Sequence, residues 1–209
     1  MGMSTGVYDC LKRIGERIID NKEYLTDLDR EIGDADHGVN MARGFTAVIE
    51  KVPQDDPDIG AVLKKTGMTL LSTVGGASGP LYGTACMEAA KVLAGKKELT
   101  IEDFRNAFDA AIAGIMKRGK SVKGEKTMLD ALIPALDAFG KETARGGCFT
   151  DGLDSACAAA EEGVEYTKTI AATKGRASYL GNRSIGHQDP GATSASIILQ
   201  AIRDYYREK

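Results

Sequence analysis

The sequence predicts an all-α fold, and three observations carry that expectation. Apolar residues recur with a helical period in almost every segment, no run alternates as a half-buried strand would, and 25 glycines gather largely in the gaps between the periodic segments. With 209 residues the chain is long enough for one domain with a substantial core, read here as a single unit over 1–209 with roughly eight helices.

The elements follow in order. Val7, Leu11, Ile14 and Ile18 share one face of a first helix. A second helical stretch ends near Gly33 and places Asp29 in its last turn. Further helices are expected at about 39–51, 58–74 and 79–94. Thr100 and Asp103 have the spacing of a capping box, with Asp in place of the usual Glu, and Ile101, Phe104, Phe108, Ile112 and Ile115 form the stripe behind it. Two more helices are expected at about 127–141, with Pro134 as a candidate kink, and 151–172. Ala192, Ala195, Ile198, Leu199, Ile202 and Tyr205 mark the last.

Composition excludes several classes of function. A formal charge of -3 gives no basis for nucleic-acid or anionic-membrane binding. No apolar run spans a bilayer, and the N-terminus has no secretory pattern. Cys10, Cys86, Cys148 and Cys157 form no C-x-x-C pair or zinc spacing and read as reduced, mostly buried thiols of a cytoplasmic protein.

The segment Asp29–Gly38 crowds Asp29, Asp34 and Asp36 together. Carboxylates so close repel, and a cation among them lets all three stay ionised. Hard oxygen ligands suit magnesium, which completes its shell with phosphate oxygens and water. N-capping of the next helix would account for one of the three but poorly for all of them. Asp27 and Glu31 read as solvated helix charges. His37, Gly38, Val39 and Asn40 would open the following helix, whose free N–H groups can receive phosphate.

Val74–Pro80 is a second candidate cradle, in which Ser78 and Gly79 offer a hydroxyl and backbone donors. Gly114–Ser121 matches the P-loop pattern letter for letter, yet Ile112 and Ile115 continue the helix begun near Thr100, so its first positions are helix rather than loop. The stretch 175–191 is long, aperiodic and rich in special residues, as functional loops are. Within it Arg176 could neutralise phosphate. His37 and His187 are the two histidines, and a polar structural role is favoured over phosphoryl acceptance for both.

Four motifs in register resemble the nucleotide-binding L-subunit family of bacterial dihydroxyacetone kinase. They are Leu25–Asp29 through Asp36–Met41, Gly75–Gly83, Lys126–Asp130, and Gly175–Gly181 with Gly186–Gly191. The resemblance covers essentially the whole chain. It implies an antiparallel eight-helix barrel with tightly bound ADP or ATP at one end, and two Mg2+ held by Asp29, Asp34 and Asp36. It further implies phosphates surrounded by His37–Asn40, Ser78 and Gly79, an adenine pocket lined by Gly119 and Met128, and closure by Arg176 and Asp189, Pro190 and Gly191. No covalent protein nucleophile is implied. Ala35 and Glu125 depart from the family's usual glycine and aspartate, the first in a way that could stiffen the metal loop.

Expected partners are a dihydroxyacetone-binding K subunit and a phosphotransferase-system phosphoryl donor, with a homodimer left open. The chain is too short to contain the substrate domain as well, which favours the stand-alone kind of member. The competing expectations are a component of another small-molecule or fatty-acid kinase and a nucleotide-stabilised docking module.

Overall fold

The computed structural model describes residues 6–209 together with the backbone of Met3 and Ser4. Nine α-helices are formed among the described residues: α1 Val7–Asp20, α2 Lys22–Ile32, α3 His37–Lys51, α4 Ile59–Thr73, α5 Ser78–Val92, α6 Ile101–Gly119, α7 Leu129–Ala144, α8 Phe149–Thr167 and α9 Pro190–Arg207. A 3-10 segment, Arg176–Ser184, precedes α9.

Local chemistry explains several boundaries. Asp58 caps α4 by accepting from the Gly60 and Ala61 amides. The Thr100–Asp103 capping box starts α6 as its spacing predicts. Asp189 caps α9 through the Ala192 amide, with Pro190 at the first helical position, where no amide donor is needed. Pro134 lies inside α7 without ending it.

Eight of the helices close a ring. Neighbours pack in the order α1, α3, α4, α5, α6, α7, α8, α9, and α9 returns to α1. The one left over, α2, packs on α3 and α9. The break at Asn21 that separates α1 from α2 accounts for nine helices where eight form the barrel. Around one end the ring alternates, for the cavity there is lined by the starts of α3, α5 and α9, the residue before α7, and the end of α6. The barrel is therefore antiparallel, with the candidate site at one end.

The opposite end is closed by aromatics. Phe104 lies 4.9 Å from Phe139 and 5.1 Å from Phe149, and Phe149 meets Tyr206 edge-on at 4.9 Å. A small separate cluster, Ile32 with Ala172 and Ala177, fastens the 3-10 segment against the end of α2 and so positions Arg176.

Three expectations change. Met3–Ser4 (β1) and Glu98–Leu99 (β2) pair antiparallel, a two-residue ribbon where no strand was expected. The helix expected to reach 172 stops at Thr167, whose hydroxyl turns back to the Val164 carbonyl. Cys148 is exposed and Cys86 half-buried, so only Cys10 and Cys157 are fully buried free thiols.

Candidate functional site

The helix α2 ends at Ile32, with Gly33 as its C-cap, and α3 begins at His37. The turn between them brings one carboxylate oxygen from each of Asp29, Asp34 and Asp36 within 4.8 Å of one another. Ala35, in the centre of this turn, has φ +60°, a left-handed conformation that L side chains adopt at a cost. Asp29 has a second task. Its Oδ2 accepts from the backbone N–H groups of Asp36 at 2.9 Å and His37 at 3.2 Å, so it caps α3 from the preceding helix. Asp36 is the N-cap residue by position, but its own side chain makes no capping bond. Burial, with the negative charges of Asp34 and Asp29, pushes its carboxyl above the usual range despite an opposing bond from Asn40.

A cavity of about 480 Å3 opens beside this turn. Asp29, Asp34, Asp36, His37, Ser78, Gly119, Met128, Arg176, Asp189, Pro190 and Gly191, all expected at the site, line it. The positive dipole ends of α3, α5 and α9 meet at that wall and give it a positive potential, although Asp29 and Asp189 already accept from some of the first amides of α3 and α9. Among the described residues, the three non-glycine positions with positive φ, Ala35, Lys120 and Lys126, all sit at this end, where backbone strain is expected to gather at a working site.

The structure does not bring Gly38, Val39, Asn40 or Gly79 to the cavity wall. A Cβ at Gly38 would collide with the Lys22 carbonyl, and one at Gly79 with the Val74 carbonyl, so both glycines serve close backbone approach. Val39 is exposed, and Asn40 is buried with its Oδ1 accepting from Arg43. Asp27 pairs with Arg30 and Glu31 with His187, outside the triad. The P-loop letters are confirmed as a decoy. Gly114 and Ile115 lie inside α6, and Lys120 is its left-handed C-cap.

His37 is 7% exposed and both ring nitrogens are taken. Ser78 Oγ lies 3.0 Å from Nδ1 and Ser194 Oγ 2.9 Å from Nε2. Behind them Tyr82 OH meets Ser194 Oγ at 2.7 Å. Burial lowers the imidazole to about 4, against a weaker pull upward from Asp29. A neutral, doubly engaged ring fits the structural role. Asp189 is also desolvated, which pushes its carboxyl up to about 7, while the Ala192 amide and Lys126 pull it down. Tyr82 and Ser194 were not legible as site residues, because nothing in their spacing relates them to His37. Arg118, Lys126 and Lys174 also line the cavity and add positive charge to it.

The residues present fit a magnesium-bound phosphate. Three carboxylates converge where hard-cation ligands are needed, Asp29 keeps Oδ1 free of the capping bonds, and helix starts and basic side chains face them. Comparisons with known proteins identify the family. The DAK2 domain model matches residues 31–204. The chain is 48% identical over 95% of its length, and 95% of the relative's, to the PEP-dependent dihydroxyacetone kinase ADP-binding subunit DhaL of Escherichia coli. It is 45% identical, over 92% of this chain and 91% of the relative, to the corresponding subunit of kinase 1 from Listeria innocua. Triokinase/FMN cyclase of Homo sapiens is 34% identical over 92% of this chain, which spans only 33% of that protein. The fold matches that of the C. freundii dihydroxyacetone kinase solved with AMP-PNP and Mg2+, at a TM-score of 0.74 and 21% identity, covering 98% of this chain and 35% of that one. With the family model spanning most of the sequence and relatives similar end to end, this chain belongs to the DAK2 domain family.

Proposed function

We propose that this protein is the ADP-binding subunit of a phosphoenolpyruvate-dependent dihydroxyacetone kinase. In this reading its bound ADP is phosphorylated in place by a phosphotransferase-system donor protein, and the ATP then phosphorylates dihydroxyacetone on a separate K subunit in the cytoplasm. The observation that carries the reading is the Asp29–Asp34–Asp36 cluster, which lines one cavity together with the helix starts at His37 and Ser78.

Asp29, Asp34 and Asp36 would hold two Mg2+, and the bound metal and nucleotide supply charge neutralisation and the phosphoryl group itself. Two magnesium ions, three carboxylates and ADP leave the cluster near about -2, so metal and nucleotide bind best together. The protein's residues align and neutralise, which is most of what phosphoryl transfer asks of a catalyst. Ser78 and the start of α5 would orient the phosphates, and the positive end of the α3 dipole would add to their attraction. Arg176, on the exposed rim, places its guanidinium where transferred charge would pass. Met128 and Gly119 shape the adenine side. His37 keeps Ser78 oriented and takes no phosphoryl group.

The full-length relatives named above are both ADP-binding subunits of dihydroxyacetone kinase, which favours this acceptor over a fatty acid. Reconstitution tests it. With phosphoenolpyruvate, the phosphotransferase components and a K subunit, dihydroxyacetone phosphate should form only when this protein is added. Transfer to a fatty acid on its carrier, with none to dihydroxyacetone, would assign the site to the other acceptor.

A further inference from the structure

Lys126 is a lysine in a place that suits neither its charge nor its backbone. Its side chain is 1% exposed, and its φ of +60° is one that glycine adopts freely. Such a residue persists where its side chain is needed. The ammonium donates to three backbone carbonyls: Thr167 at the end of α8, His187 before α9, and Ile170 at 3.4 Å. An ammonium has three protons, and all three are spent on these carbonyls. None is left for a phosphate, although Lys126 reaches the cavity wall.

The surrounding bonds show what the ammonium joins. On its own side, fully buried Asp130 curls residues 124–127 by accepting from the Gly124 amide and, at 2.8 Å, from the Thr127 amide. This loop leads into Met128, on the expected adenine side. Across from it, the Asp189 amide donates to Thr167 Oγ1 at 3.0 Å, and the Gly186 amide to the Lys168 carbonyl at 2.7 Å. That stretch carries Arg176 and Asp189–Gly191. A single backbone bond, from the Thr173 amide to the Glu125 carbonyl at 3.3 Å, also links the two sides.

We infer that Lys126 is a latch: a positioning residue that holds the α6–α7 loop and the α8–α9 segment as one wall, and thereby sets how slowly nucleotide leaves. It acts on backbone carbonyls and not on the phosphates. The inference rests on the nucleotide reading proposed above and adds how retention is controlled.

The test compares wild type with Lys126→Met, which keeps an unbranched apolar stem without donors, and Lys126→Gln, which keeps two N–H donors. Protein loaded with Mg2+ and labelled ADP is chased with unlabelled ADP, and amide hydrogen exchange is followed without nucleotide. The latch predicts ADP release faster by about tenfold or more in Lys126→Met, an intermediate rate in Lys126→Gln, and joint loss of protection over 122–128 and 170–189 with α1 and α4 unchanged. Wild-type release with unchanged protection overturns it. So does an equal loss of affinity for Mg2+-pyrophosphate with unchanged protection, which would make Lys126 a phosphate ligand. Should Lys126→Met fail to fold, Lys126→Gln alone decides by the same criteria. If wild type binds no nucleotide, the proposed function falls, while the exchange pattern still upholds or overturns the link between the two segments.

Discussion

Arg176 Nε lies 2.8 Å from Asp34 Oδ2, an ion pair that joins the 3-10 segment to the α2–α3 turn across the mouth of the cavity. Both side chains keep solvent contact, at 67% and 35% exposure, so the pair adds little to stability. Its value is positional, because it holds a planar bidentate donor beside the carboxylates proposed to carry metal. Arg176→Ala should weaken Mg2+-ADP binding by about 10–100-fold, the range for a charge-assisted bond of about 1.5–3 kcal/mol, while the melting temperature hardly moves. Titration calorimetry and thermal melts of the same preparations check both halves.

The three aspartates should separate by experiment. Asp34→Asn and Asp36→Asn remove charge from a crowded cluster and should abolish metal-dependent ADP retention without destabilising the metal-free protein. Asp29→Ala should lose retention and, in addition, about 1 kcal/mol of stability, because Asp29 Oδ2 caps α3 through the Asp36 and His37 amides. Denaturant unfolding in EDTA reads the difference.

His37 should make the metal-free protein sensitive to acid. Its folded pKa of about 4 lies below its ordinary value of 6.5, so the folded state favours the neutral ring. The resulting stability is fully present above 6.5 and is lost as pH falls toward 4, in total about 3 kcal/mol. Asp189 acts oppositely: raised from 3.8 to about 7, it contributes stability at low pH that is lost as pH rises through 7. The two windows overlap, so the His37 effect is read as the difference between wild type and His37→Gln, followed from pH 7.5 to 4 by urea unfolding. A pH-independent difference would contradict it.

Two left-handed positions should accept glycine. Ala35 (φ +60°) and Lys120 (φ +47°) each bear a Cβ where glycine carries no penalty. Ala35→Gly and Lys120→Gly should each raise stability by about 0.5–1 kcal/mol. Lys120→Gly should also leave ADP affinity unchanged, because the P-loop letters around it are the end of a helix. Melting curves and ADP titrations decide both points.

The sequence exposed what is local and hid what is not. The Thr100–Asp103 box, the stop at Gly33 and the decoy at Gly114 follow from residues within a few positions of one another. The carboxylate cluster was legible for the same reason, since one turn holds Asp34 and Asp36 and the preceding helix delivers Asp29. Gly38 and Gly79 pack closely on the backbone of Lys22 and Val74, which periodicity does not report. Tyr82 and Ser194 reach His37 from α5 and α9 only once the barrel has closed. Lys126 falls within the Lys126–Asp130 motif, but its bonds to Thr167, Ile170 and His187 belong to the fold.

The central claim is that this cavity holds ADP as a resident group. Protein purified without added nucleotide should release close to one ADP per chain on denaturation, and Asp34→Ala should release none. Incubating the intact protein with phosphoenolpyruvate and the phosphorylated donor should convert that ADP to ATP before it exchanges with solution. An absence of released nucleotide, together with nucleotide binding by Asp34→Ala equal to that of wild type, would contradict the account.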